Sequence, residues 1–480
     1  MTSPIPAPDD SDHDTPFVGP YSEGPPPEAL EVHCSDLTRF GLEELARAVL
    51  ITVVLAAATG IAVLRWPVSW VRKRRRFSVA LAEGLVKGFE ALGPTFVKLG
   101  QLMASSPGVF PPVLADACLR LLDGVPPVPA HKARRVVERD LGGRIEALFD
   151  SFDDVPLSAA SVAQVHACVM RDGRDAVVKV QRPEIRRRMR VDLRVAFAGA
   201  SLLERFFEFF RIANATVIVR ELNDLTAHEL NGAAEALRQQ NFRNNVHVFG
   251  DNAGVMVPEI YWSHCGPRVI CMERVRGTPV GRITTSELAG IDSELQLRRG
   301  VKVWLEAVVL HGPFHGDVHA GNLWALDDGR VGFLDFGIVG ELPEEWRIVL
   351  REMFRASLFD GNYTEAARRI RMLGVTEGTT LGDKLIGLQL RKLFEPILGR
   401  GAARLDLSKL VASLVETGRR WGVATPEELV LFGKQLGYFE RYSAALAPEW
   451  VLGRDLFLFK NILPEEVAAA VAARNIVLPD

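Results

Sequence analysis

The longest apolar stretch of the chain runs from Ala48 to Leu64, AVLITVVLAAATGIAVL, 17 residues without a charge. A run of that length is at the short end of what crosses a bilayer as a helix. Trp66 and Trp70 follow it, and then the basic cluster Arg72, Lys73, Arg74, Arg75 and Arg76. Interfacial tryptophans followed by cations predict a single-pass helix whose C-terminal side stays in the cytoplasm, with the short N-terminal tail outside. An in-plane anchor and a soluble core helix are the alternatives. Beyond residue 76 the pattern is that of a water-soluble α/β chain. Leu81, Leu85, Phe89 and Leu92 recur at helical spacing in Phe77–Leu99, where Pro94 predicts a kink or a division. Residues 131–150, 217–247, 294–311, 341–372 and most of 405–445 also read as helices. The segments 175–180 (DAVVKV), 268–274 (RVICMER) and 331–336 (VGFLDF) are short and rich in β-branched residues, and predict strands. Strands cluster early and helices late, so the fold class is α+β, a small β-rich lobe followed by a larger helical one.

Composition sharpens this picture at the N-terminus. Residues 1–40 hold eight prolines, eight acids and one base. Too little apolar surface is available there to offset the ordering entropy, so 1–45 reads as a disordered acidic tail. The expected organisation continues with a hydrophobic membrane segment at 46–76 and a helical extension at 77–150. The β-rich lobe follows at 151–275 and the helical lobe at 276–480. The hydrophobic content of 48% fits a chain with a sizeable core, and a net charge of −3 gives no general attraction to nucleic acid, which is not expected as a partner. Five scattered cysteines, with no CxxC pair, support neither a disulfide framework nor a cysteine-rich zinc site. Arg186, Arg187, Arg188 and Arg190 form a basic run that reads as a solvated helix face, with contact to anionic lipid as the functional alternative.

The strongest chemical signal is HGDVHAGN at 315–322, followed by FLDFG at 333–337. Asp317 precedes Asn322 by five residues, and Asp335 lies 18 beyond Asp317. These are the offsets of a kinase catalytic loop and its metal-binding D-F-G. A triphosphate needs a divalent cation, and Mg2+ prefers one or two protein oxygens completed by phosphate oxygens. Asn322 and Asp335 supply such oxygens, and Asp317 can accept a hydroxyl proton. A metal site of His315, Asp317 and His319 is the competing reading, which leaves Asn322 and the D-F-G unexplained. Lys179, flanked by β-branched residues in a strand, fits the phosphate-pairing lysine, and Glu235 is the candidate carboxylate for it. No G-x-x-x-x-G-K-[ST] occurs in the sequence, which disfavours a Walker-type NTPase. Where a glycine-rich phosphate loop would sit, the chain reads PLSAASVAQVHA at 156–167, and alanine there predicts a stiffer loop without positive φ.

With FVKLGQ at 96–101, these residues resemble the UbiB/AarF family of atypical kinases, called ADCK in animals, over roughly 78–345 and more loosely to the end. The resemblance implies a bilobal protein-kinase-like fold with an N-terminal helical extension. It implies ATP and Mg2+ as cofactors, and weak phosphotransfer or ATPase activity. It further implies a role in isoprenoid-quinone (ubiquinone) biosynthesis or lipid homeostasis, with membrane lipids, quinone precursors and biosynthetic enzymes as partners. By this match Lys179 is the nucleotide-phosphate lysine, Glu235 its helix partner, Asp317 the catalytic-loop aspartate, and Asn322 and Asp335 the metal ligands. Ala159, Ala160, Ser161, Val162 and Ala163 are the alanine-rich nucleotide loop, and Met272, at the hinge that would contact adenine, completes the cofactor-binding set. Lys98, Gly100 and Gln101 belong to the K-x-G-Q extension, which folds over the active site, and Glu229 is the first acid of an E-x-D motif. The second acid is Asn231, and an amide carries no charge to pair with a lysine, which puts the coupling of extension to helix at issue. Val318 and Ala320 replace the family's usual prolines. A small-molecule phosphotransferase of the aminoglycoside or choline kinase kind and a non-catalytic ATP-gated scaffold are the competing functions.

Overall fold

The computed structural model describes residues 17–73, 76–105, 110–122, 126–212, 214–283, 292–373, 382–398, 416, 426–452 and 455–479. The chain divides into two compact units, Met1–Ala234 with Tyr261–Glu273, and Glu235–Ile260 with Arg274–Asp480.

The first unit opens on a segment that departs from the predicted disordered tail. Residues 17–41 are packed. Tyr21 is 5% exposed, and the Phe17 ring lies 5.0 Å from that of His264. A short helix α1 spans Pro27–Leu30. Ser35 N donates to Asn223 Oδ1 at 3.3 Å, and Asn223 Nδ2 returns a bond to Ser35 O at 3.1 Å. Composition misleads here because the prolines also restrict the unfolded chain, lowering the entropy lost on docking, and because the partners that satisfy the backbone come from remote parts of the chain. The acidic run at residues 9–14 lies outside the described residues.

Helix α2 (Leu42–Lys73) follows, starting before the predicted boundary at 46. Its first turns are tied down by charge. Glu44 pairs with Arg194 at 2.9 Å and Arg47 with the fully buried Asp192 at 2.6 Å. It packs antiparallel on α3 (Phe77–Leu92), where small residues let the backbones approach closely. A Cβ at Gly84 would lie 2.8 Å from Ala62 Cβ, and one at Gly88 2.7 Å from Leu55 Cδ2. Much of the apolar surface of α2 up to Pro67 stays open to solvent: its apolar stretch within Leu42–Pro67 has a mean hydropathy of 2.2, with only 6% of its residues buried. The expected kink at Pro94 is a full break. Gly93, at φ +100°, ends α3, and Pro94 begins α4 (Pro94–Ser105). Helices α5 (Pro112–Cys118), α6 (Ala130–Leu141) and α7 (Ile145–Leu148) lead into the sheet.

The sheet is antiparallel, in the order β1-β3-β4-β6 with β2 paired on β3. Its strands are β1 (Phe149–Phe152), β2 (Ser158–Ala159), β3 (Ala163–Met170), β4 (Asp175–Gln181) and, after β5 (Val255–Met256) of the second unit, β6 (Val269–Glu273). Helices α8 (Ile185–Phe206), α9 (Glu208–Ile212) and α10 (Ala215–Glu229) belong to this unit. The helix predicted over 217–247 is two. Asn231 Oδ1 accepts from Ala234 N at 3.0 Å and caps a new helix, α11 (Gly232–Val246).

The second unit holds a four-stranded sheet in the order β5-β10-β9-β7, with β7 (Gly277–Pro279), β9 (Leu323–Leu326) and β10 (Val331–Phe333), and a separate pair of β8 (Pro313–His315) with β11 (Val339–Glu341). Residues 235–260, predicted within the β-rich lobe, belong here because Phe242, Val246, Val255 and Val257 enter this unit's core. Helices α12 (Ser293–Glu306), α13 (Glu344–Arg355), α14 (Thr364–Met372), α15 (Asp383–Leu398), α16 (Glu427–Leu446) and α17 (Pro464–Arg474) enclose that core. Trp304 is its centre, stacked at 5.4 Å on Phe432 and edge-on to Phe314 at 5.9 Å. Beside it the fully buried Lys302 is neutralised by Glu306 at 2.8 Å and Asp251 at 3.2 Å. The helix predicted over 341–372 is interrupted by a π-helical turn at Ala356–Asp360 and by Gly361 in the left-handed region. Most of 405–425, predicted helical, lies outside the described residues.

Candidate active site

The catalytic-loop and D-F-G residues lie together in the second unit. Strands β9 and β10 pair antiparallel with Phe333 opposite Leu323. That register brings the end of β10 beside the residue preceding β9, and Leu334 N donates to Asn322 O at 2.9 Å. The side chain of Asn322, itself buried, donates from Nδ2 to Asp317 O at 3.0 Å, which leaves its Oδ1 as an acceptor. Asp335 has φ +62°, a left-handed conformation that costs a non-glycine residue about 1–2 kcal/mol. An Asx turn, Gly337 N to Asp335 Oδ1 at 3.2 Å, holds it there. Phe336 beside it is fully buried against Phe242. The surrounding contacts thus fix Asp335 in a strained state with its carboxylate exposed.

His315 joins the two loops. Its Nε2 donates to Leu334 O at 3.0 Å and its Nδ1 accepts from Asp317 N at 3.1 Å. Burial pushes its pKa below the usual imidazole value, so it is the neutral tautomer that these bonds require. Both ring nitrogens are committed, which removes His315 from the alternative metal site with Asp317 and His319. No group of three or more His, Cys, Asp or Glu suited to a metal occurs among the described residues. The loop is also clamped from α16. Gln435 Oε1 accepts from Val318 N at 2.9 Å, and Tyr442 donates to Val318 O at 2.9 Å. These bonds stabilise the loop without the family's prolines.

Glu235 is buried in the first turn of α11. Three residues on, Arg238 donates from Nη1 to Gly337 O at 3.1 Å. No sequence signal marks this contact of Arg238 with the D-F-G backbone, since a helical arginine has no motif of its own.

The first unit carries the remaining candidates. Lys179 stands in the central strand β4, opposite Val165 of β3 and Ile270 of β6. Met272 lies on β6 opposite Val177. The alanine-rich loop is a tight hairpin closed by Ala160 N to Ala163 O at 2.8 Å. None of Ala159, Ala160, Ser161, Val162 and Ala163 has positive φ, as the alanines predict. Val162 and Ala163 are anchored against Ile185, Met189 and Leu230.

The K-x-G-Q residues resolve the question raised by Asn231. Lys98 makes a direct ion pair with Glu229, so one acid suffices to join the extension to α10. Asn231 has other work: besides capping α11, it donates to Glu31 O at 3.2 Å. Gly100 lies in close contact with Leu121: a Cβ there would lie 2.2 Å from Leu121 Cδ1 and would have to displace that side chain. Gln101 donates to Leu121 O at 2.8 Å, so its side chain fixes α4 to the turn Leu119–Leu122.

An antiparallel sheet with a central lysine, together with a helical unit carrying H-x-D-x-x-x-x-N and D-F-G on paired strands, defines a kinase-like α+β protein with an N-terminal helical region. Comparison with known proteins agrees. Residues 120–370 match the ABC1 atypical kinase-like domain and residues 390–451 the UbiB helical domain. The chain belongs to the ABC1/UbiB family of atypical kinases. It is 34% identical over 426 residues to a probable protein kinase UbiB of Aeromonas hydrophila, covering 85% of this chain and 77% of the relative. It is 33% identical over 415 residues to the uncharacterized protein Rv0647c of Mycobacterium tuberculosis, covering 85% of each. An aarF domain-containing protein kinase of Arabidopsis thaliana, described as uncharacterized and chloroplastic, is 32% identical over 396 residues, covering 77% of this chain and 73% of the relative.

Proposed function

We propose that this chain is an Mg2+- and ATP-dependent phosphotransferase or ATPase that works at a membrane surface in isoprenoid-quinone biosynthesis or lipid homeostasis. The observation that carries the reading is Asp335, held at φ +62° with its carboxylate exposed and Asn322 oriented one strand away. Strain of this kind persists only where the surroundings impose it. The donor set fits: two hard oxygens suit Mg2+, which takes the rest of its shell from phosphate and water. Bound there, the cation would neutralise charge on the triphosphate. Lys179 is assigned to the phosphates, and the backbone N–H groups of the alanine-rich loop to the nucleotide. Asp317 is assigned to orient and deprotonate the attacking group, and His315 keeps its loop in register with Asp335.

The test is ATP turnover by the purified full chain, with and without anionic liposomes, beside Asp335→Asn. Turnover in the parent and its loss in the variant are expected; equal turnover in both overturns the reading. The Lys98–Glu229 pair favours a second reading, a nucleotide-gated scaffold locked by its extension. Nucleotide binding without turnover, even with lipid present, selects it.

For the membrane, the docked N-terminus supports in-plane attachment over the predicted single pass. Crossing the bilayer would carry residues 17–41 away from α8 and α10 and break the Glu44–Arg194 and Arg47–Asp192 pairs. An α2 lying in the interface keeps those pairs and gives its exposed apolar side to lipid. Membrane lipids or quinone precursors are then the natural partners.

A further inference from the structure

A recess of about 330 Å3 opens in the first unit beside the start of α8. It is lined by Arg182, Arg186, Arg187, Arg190 and Arg268, with Glu184 as its acidic member. Backbone carbonyls position two of these guanidinium groups without neutralising them. Arg182 donates to Ala160 O at 2.9 Å and to Pro126 O at 2.8 Å. Arg186 donates to Leu230 O at 2.7 Å. The other nearby carboxylates are Glu43, paired with Arg187 at 2.9 Å, and Asp140, which accepts from the backbone of Arg268. Five guanidinium groups against three carboxylates leave an excess of two positive charges. Glu184 offers no side-chain cap to α8, so the positive end of a 22-residue helix also faces the recess.

Guanidinium groups in excess over carboxylates, converging on a small recess at a helix N-terminus, recognise phosphate. We infer that this recess binds a doubly charged phosphate group, a second anion site distinct in its residues from the nucleotide set. Burial and the proximity of Arg268 lower the pKa of Arg186, a strain that a bound dianion relieves. The site has a mechanical connection to the alanine-rich loop, because Arg182 both lines the recess and holds Val162 O through its backbone N–H at 2.9 Å. Occupancy therefore stiffens residues 160–163.

The phosphate can come from a soluble molecule or from a lipid headgroup, and the test has an arm for each. The full chain is titrated calorimetrically with inorganic pyrophosphate in the absence of Mg2+. Binding is expected in the parent and in Lys179→Ala, and weakening of about tenfold or more in Arg190→Gln/Arg268→Gln. No binding, equal affinity in the double variant, or loss in Lys179→Ala alone overturns the inference. In the second arm, the chain is floated with phosphatidylcholine vesicles with and without phosphatidylglycerol. Phosphatidylglycerol-dependent flotation that the double substitution abolishes identifies a lipid headgroup, and pyrophosphate binding without such flotation identifies a soluble phosphate. Should the double variant fail to fold, phenylglyoxal modification of the parent decides. Pyrophosphate is expected to protect Arg186, Arg190 and Arg268, and unchanged modification overturns the site.

Discussion

Arg238 on α11 donates from Nη1 to the carbonyl oxygen of Gly337 at 3.1 Å, tying the helix that carries Glu235 to the backbone of the D-F-G. Phe242, one turn further along, packs against Phe336 of the same motif. Helix and loop therefore move together. Arg238→Met removes a charged donor worth about 1.5–3 kcal/mol. We expect kcat for ATP to fall by about 10- to 100-fold. Steady-state turnover, with a thermal melt as control, checks this.

Asp335 bears strain that a glycine does not. Asp335→Gly relieves about 1–2 kcal/mol of strain but deletes the Asx bond to Gly337 and loosens the unfolded chain, so stability in urea is expected to change by less than about 1 kcal/mol while turnover is abolished. A variant destabilised by more than about 2 kcal/mol would show that the left-handed conformation carries no strain for glycine to relieve.

The Lys98–Glu229 pair is mostly shielded, with Glu229 retaining 22% side-chain exposure. Removing one partner of a wholly buried pair costs about 3–5 kcal/mol, so Lys98→Met is expected to cost less, about 2 kcal/mol. Lys98→Met/Glu229→Leu is expected to cost less than the two single changes together, because it leaves no unpaired charge. A double-mutant cycle in urea measures the difference.

Buried imidazoles set an acid limit on stability. Burial is the first cause lowering the pKa of His166 and His264 in the first unit and of His315 in the second, below the ordinary 6.5. The folded state then binds fewer protons than the unfolded chain. Their stabilising contribution is complete above pH 6.5 and is lost as pH falls through the depressed folded values. Thermal melts from pH 8 to pH 5 are expected to fall below pH 6.5, and less steeply in His315→Asn.

Cys34 is exposed, while Cys118, Cys168, Cys265 and Cys271 are buried. It therefore reports on which side of a membrane the N-terminal segment lies. If α2 is in-plane, a membrane-impermeant maleimide labels Cys34 only from the side that holds the kinase-like units. Labelling from the opposite side would restore the single-pass topology.

Much of the second unit's candidate site is legible in the sequence because its residues are close in the chain: Asp317, Asn322 and Asp335 lie on one loop–strand–strand stretch. The packed N-terminal segment is not, since Ser35 finds its partner 188 residues away. Composition registers the prolines and acids but not the side-chain amides that receive the backbone. Asn231 reads as a lost acid, yet the same amide caps a helix and holds Glu31, two roles that need no charge. Strands β7, β8, β10 and β11 are three residues each, too short for a period to show, and only β10, preceding the D-F-G, lies within a predicted strand.

Gly84 and Gly88 leave no room for a methyl group between α3 and the Leu55–Ala62 face of α2. Sliding or parting the two helices would forfeit that fit along its whole length. A lipid surface, were it to receive the apolar side of α2, would meet a two-helix plank, and any tilt or depth it imposed would be delivered through α3 to the Lys98 helix that follows directly after Gly93.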